Sequence, residues 1–124
     1  MTHDQIAGLW TTMAQGWAAG DAQAFAQVFD ADVEFVTVRG DEHHGRDAVE
    51  ASHARLFADV YQGTLLKPEV RLIRELTEGH FLVHVLSTVL PAGIVTHAQA
   101  VVRRDGEGWS IIAFHNMILG GTTR

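Results

Sequence analysis

Cysteine is absent from all 124 residues, so the chain has no disulfide framework, no thiolate nucleophile and no cysteine-based zinc site. Charge is sparse at 19%, and basic charge is sparser still. Fifteen Asp and Glu against nine Lys and Arg leave a formal net charge of −6. No basic patch offsets a phosphate field at that balance, and the adjacent Arg103 and Arg104 point to opposite faces of a strand, which argues against a nucleic-acid partner. Long apolar runs are missing too. Nothing approaches a bilayer span, and the opening MTHDQIAG lacks the basic and hydrophobic regions of a secretory leader, so a cytoplasmic chain without membrane contact is expected. Gly-rich phosphate loops, a G-x-S-x-G elbow and nucleotide fingerprints are also absent, and no cofactor is expected.

What remains is oily. Hydrophobic residues make up 47% of the sequence, which excludes disorder and suits one domain, residues 1–124, with a real core. The first half reads as helices. Asp4 can cap a helix in which Ile6, Leu9, Trp10, Met13 and Trp17 recur at three- and four-residue spacing. Gly20 ends it, and Asp21 caps a short second helix turning Phe25, Val28 and Phe29 inward. A strand from Val33 to Val38 breaks into a polar loop at Arg39-Gly40. A third helix, Arg46 to Tyr61, carries Val49, His53, Leu56, Phe57 and Val60 on one stripe.

The second half reads as an antiparallel meander near Leu65–Leu76, His80–Leu90, Ile94–Arg104 and Gly108–Ile118. Thr77-Glu-Gly79, Pro91-Ala-Gly93 and Asp105-Gly-Glu-Gly108 supply the turns. Helices first and antiparallel strands after make an α+β domain. Both strand faces are apolar: Phe81, Val83, Val85 and Val89 oppose Leu82, Leu86 and Leu90. A sheet wetted on one side shows one polar face, so both faces here need a cover. The helices cover one, and a second copy of the chain is the economical cover for the other, a homodimer through the outer sheet face.

Histidines on apolar stripes are the candidate chemistry, because imidazole changes charge near neutral pH and both donates and accepts hydrogen bonds. Strict alternation, with Pro91-Ala-Gly93 as a three-residue loop, puts His84, Ala98 and His115 on one inward face and leaves His97 and Asn116 on the other. His53 comes from the helix above. The walls are expected from Trp10, Trp17, Phe35, Phe57 and Tyr61, enclosing an apolar cleft with a few converging polar groups. The plain alternative for each histidine is a core imidazole satisfied by one backbone carbonyl. His43 and His44, beside Asp41 and Glu42, read as an exposed loop, and no ligand spacing points to a metal.

Gly20-Asp21 between two helices, Val33-Glu-Phe-Val36, Gly45-Arg46-Asp47, His53-x-x-Leu56-Phe57 and Trp109…Ala113-Phe114-His115-Asn116 together resemble the SgcJ/EcaC family of the nuclear transport factor 2-like superfamily, also described as SnoaL-like. The resemblance runs from about Gln5 to Gly120. It implies a cone-shaped barrel, cystatin-like, with a curved antiparallel sheet wrapped around three helices and a dimer formed through the outer sheet. It also implies a setting beside secondary metabolism. Relatives include isomerases, cyclases, dehydratases and non-catalytic binding or assembly domains, so the fold does not choose among them. Where ketosteroid isomerases carry an aspartate base the matching position is Thr37, which leaves imidazole as the only base and Thr37 as a contact.

The expectation is therefore a pocket for a hydrophobic, oxygenated, polyketide-type or aromatic molecule. Any catalysis would be cofactor-independent proton transfer for cyclisation, isomerisation or dehydration. His53 or His115 would serve as base and His84 as hydrogen-bond donor, with Trp10, Trp17, Phe35, Thr37, Phe57, Tyr61 and Ala98 as contacts. The alternatives are a non-catalytic binder and an assembly domain with a filled interior.

Overall fold

The computed structural model describes residues 2–119. Helix α1 (Thr2–Ala19) buries Ile6, Trp10, Met13 and Trp17, the residues spaced to share one face. It starts two residues before Asp4, so Asp4 lies within the first turn, where its charge favours the helix dipole, and is not the cap. The helix stops at Gly20, whose φ of +66° suits glycine. There the Gly20 and Asp21 amides return to the Trp17 and Gly16 carbonyls at 3.0 and 2.9 Å. Asp21 then caps α2 (Ala22–Ala26), its carboxylate accepting from the Ala24 amide at 3.1 Å.

The chain becomes extended at Phe29 and not after it. Strand β1 (Phe29–Val36) pairs Phe29 with Ile111, and the Phe29 ring packs against Phe25, Phe35 and Phe114. That aromatic cluster outweighs the helical spacing that suggested a longer α2. The segment read as an exposed loop is instead a short strand, β2 (Glu42–His44), antiparallel to β1, with His43 opposite Phe35. Helix α3 (Arg46–Ala58) ends before Tyr61, whose amide closes a turn onto the Leu56 carbonyl at 2.7 Å.

Strands β3 (Leu65–Thr77), β4 (His80–Leu90), β5 (Ile94–Asp105) and β6 (Gly108–Ile118) form the expected meander. Six strands make one sheet in the order β2-β1-β6-β5-β4-β3, and β1 lies parallel to β6. The curved sheet and the helices form the α+β, cystatin-like arrangement that the resemblance implied.

Two one-residue irregularities decide which side chains face inward. Val89 pairs with Ile94, so the β4–β5 connection is Leu90 to Gly93, one residue longer than Pro91-Ala-Gly93. Along β6, Val102 pairs with Ile111 but Val101 pairs with Ala113, leaving Ile112 as an extra residue in a bulge. Either shift moves every later side chain to the opposite face. The inward face accordingly holds Val83, Val85, Ser87 and Val89 from β4, Thr96, Ala98, Ala100 and Val102 from β5, and Phe114 and Asn116 beyond the bulge. One half of the interior is filled by Ile6, Phe81, Val102, Trp109 and Ile111, with the Trp109 indole donating to the Gln5 side-chain oxygen at 3.1 Å. Beyond Ala98 the meander presents the smaller Ser87, Val89, Thr96 and Asn116 inward, and that half is not filled.

Candidate functional site

The unfilled half encloses a cavity of about 110 Å³. Its floor and walls are apolar: Trp10, Met13 and Trp17 from α1, Phe25 from α2, and Phe35 and Phe114 from the sheet. Phe35 and Phe114 stack with ring centroids 4.7 Å apart and planes within 7°. At the rim Trp17 holds Tyr61 in place. Its indole N–H donates to Thr64 Oγ1 at 2.8 Å, and that hydroxyl donates to the Tyr61 carbonyl at 2.7 Å, which fixes the Tyr61 ring 5.1 Å from Trp17.

The polar groups come from two sides. Helix α3 contributes Ser52 and His53, and the sheet contributes Ser87, Thr96 and Asn116. Ser87 and Thr96 are direct cross-strand neighbours, as are Ala98 and Asn116. The Asn116 Oδ1 is buried and has no hydrogen-bond partner among the described residues, a costly state for an amide oxygen unless a guest supplies the donor. Thr37 also lines the cavity, but its hydroxyl accepts from the Arg39 and Asp41 amides at 3.2 and 3.1 Å and so shapes the β1–β2 turn.

His53 is buried and stacked on Phe25, with ring centroids 4.3 Å apart. Its Nδ1 donates to the Val49 carbonyl at 2.9 Å, because a carbonyl can only accept. The lone pair is therefore on Nε2, which has no protein partner among the described residues. Burial pushes the His53 pKa down to about 4. The Val49 bond works weakly against this, and the nearby His43 adds to it. Among the described residues no Asp, Glu, Lys or Arg lines the cavity, so a protonated His53 would have no counter-charge from them.

Of the expected site residues, His53, Trp10, Trp17, Phe35, Thr37, Tyr61 and Ala98 border this space. Three others do not. Phe57 is buried behind the wall, edge-on to Trp17 and His53. His84 faces the outer side of the sheet, 2.8 Å from the Gln99 side-chain oxygen and with its ring 5.2 Å from His97, because the longer β4–β5 connection reverses its parity. His115 is exposed on that same outer side, because the Ile112 bulge turns Asn116 inward in its place. Three converging imidazoles are thus reduced to one imidazole and one amide. Sequence reading also missed Ser52, Ser87, Thr96 and the rim residues Val38, Leu66, Ile94 and Ile118. Alternation with Ala98 could have found Thr96, but nothing local announced the bulge that places Asn116.

Family comparison matches residues 6–117 to the SnoaL-like domain. The chain belongs to that family. Among solved structures, a cystatin-like domain of unknown function from Nostoc punctiforme PCC 73102 shares 27% identity, with a TM-score of 0.86 over 93% of this chain and 75% of that one. A nuclear transport factor 2-like protein of unknown function from Shewanella oneidensis MR-1 shares 20%, with a TM-score of 0.83 over 94% and 99%. A provisionally named scytalone dehydratase from Novosphingobium aromaticivorans DSM 12444 shares 14%, with a TM-score of 0.79 over 95% and 84%. Among curated proteins none matches the chain. No helix among the described residues is long and apolar enough to cross a membrane.

Proposed function

We propose that this SnoaL-like chain is a small-molecule pocket protein that holds a hydrophobic, oxygen-bearing guest in the open half of the cone. The observation that carries this reading is the buried Asn116 oxygen without a partner, set in a cavity whose other walls are aromatic. Trp10 and Trp17 line that cavity and report on it. Titration with phenol is expected to give saturable quenching of tryptophan emission, with the guest recovered unchanged. Unaltered emission from a folded protein at saturating phenol counts against it.

A second reading, proton transfer during isomerisation, cyclisation or dehydration, is favoured by the free Nε2 of His53 and by the fold likeness to the provisionally named scytalone dehydratase. His53 would act alone, since His84 and His115 lie on the other face. A base with a pKa near 4 and no carboxylate beside it is weak at neutral pH, so binding without turnover is the stronger reading. Turnover that survives His53→Ala undamaged would remove the catalytic reading altogether.

Membership of the SgcJ/EcaC branch, a cytoplasmic place beside secondary metabolism and a role as an accessory protein belong to the same proposal, and the neighbouring genes test it. The homodimer is proposed on the outer sheet face, where Leu82, Leu86, Val95 and Val101 are only partly covered by this chain.

A further inference from the structure

We infer that the cavity selects an uncharged, single-ring hydroxylated arene, which donates one hydrogen bond to His53 Nε2 and meets the Asn116 amide with a second polar group. This rests on reading the cavity as a ligand pocket and goes further, to the chemical class of the guest. Four features define that class.

The first is charge. Every side chain lining the cavity among the described residues is neutral, and a carboxylate or ammonium taken from water into it would find no partner of opposite sign among them. The second is hydrogen-bond polarity on the helix side. With Nδ1 committed to the Val49 carbonyl, His53 offers only a lone pair, so the guest must bring an O–H or N–H. An ether or ester oxygen at that point would face the lone pair and gain nothing.

The third feature is the sheet side. The Asn116 amide has an unanswered oxygen, and Ser87 of β4 and Thr96 of β5 line the same cavity. A guest polar only at its His53 end would leave that oxygen unsatisfied, so a second O–H or N–H donor is required, as a second hydroxyl supplies. The fourth is size. About 110 Å³ between aromatic faces is the scale of cavities that admit one six-membered ring. Fused polycyclic guests would have to project past the rim at Tyr61, Leu66 and Ile94.

Calorimetric titration of the whole chain with four ring compounds tests this. They are para-hydroxybenzyl alcohol, para-methoxybenzyl alcohol (no phenolic donor), para-cresol (no second polar group) and para-hydroxybenzoate (charged). The first is expected to bind roughly tenfold or more tightly than each of the others. In His53→Phe the preference for hydroxyl over methoxy should collapse to about twofold or less, and in Asn116→Leu the preference over para-cresol should do the same. Circular dichroism checks that both variants fold, and the ligand order in the unaltered protein stands without them. Equal or tighter binding of the methoxy compound or the carboxylate overturns the inference while leaving the pocket reading intact. Failure of all four to bind overturns both.

Discussion

The imidazole of His53 lies over the ring of Phe25 with centroids 4.3 Å apart and planes 28° from parallel. A proton placed on it would sit among Trp17, Phe35 and Phe57 with no carboxylate of the described residues lining the cavity, and burial holds its pKa near 4. The unfolded imidazole titrates near 6.5. Between those values the unfolded chain binds more protons, so the contribution is undiminished above 6.5 and is lost as pH falls towards 4. The difference corresponds to about 3 kcal/mol. Urea midpoints measured across this range are expected to fall steeply with acidification, and His53→Phe should flatten that segment. His44, raised by the Glu34 carboxylate, acts in the opposite sense: its contribution is present at low pH and fades as pH rises. It is exposed, so the His53 slope dominates.

Asn116 is expected to be a residue that costs stability. Its oxygen is buried without a partner beside Ala98 and Phe114, so Asn116→Leu removes an unsatisfied acceptor at similar volume. Thermal unfolding of that variant should shift upward by the equivalent of about 1 kcal/mol. A group that weakens the fold and strengthens ligand binding is what a binding site holds. A downward shift would mean that the amide is satisfied in solution and has no vacancy for a guest.

On the outer face, Leu82 and Leu86 of β4 stand beside Val101 and His97 of β5. A charge there should leave the cavity alone, because successive strand residues point to opposite sides. Leu86→Glu is expected to convert a dimer to a monomer in sedimentation equilibrium, with phenol binding unchanged. A wild-type chain that sediments as a monomer rules out the interface.

The architecture was legible because period and punctuation agree: helical stripes before residue 60, then long strands parted by Gly-containing turns. His53 was legible for the same reason, since a helix keeps its phase over four turns. The sheet half of the site was not. Strand parity is lost with a single inserted residue, and two such insertions lie between His84 and Asn116. Neither Leu90 nor Ile112 differs in composition from a regular strand residue, so alternation runs straight through them. Strand β2 was missed because Glu42, His43 and His44 are polar and only three residues long, a pairing made by β1 and not by local propensity.

The sequence also gave no sign that Gly16 is irreplaceable, because glycine inside a helix usually costs stability relative to alanine. Here α1 and α2 approach so closely that a Cβ at residue 16 would stand 2.5 Å from the Phe25 amide nitrogen and 2.8 Å from its Cα. Those are backbone atoms held by the Asp21 cap and by the return of the Asp21 amide to the Gly16 carbonyl, so no rotamer change relieves the contact. Gly16→Ala must push α2 away from α1, and Phe25 carries the stacked face of His53 with it. The substitution is expected to destabilise the chain by about 3 kcal/mol. At the same time the His53 pKa should rise from about 4 towards its ordinary value as water enters, which an NMR titration of the imidazole reads directly. A variant with unaltered stability and an unaltered His53 titration would mean that the two helices do not fix the ring that the pocket depends on.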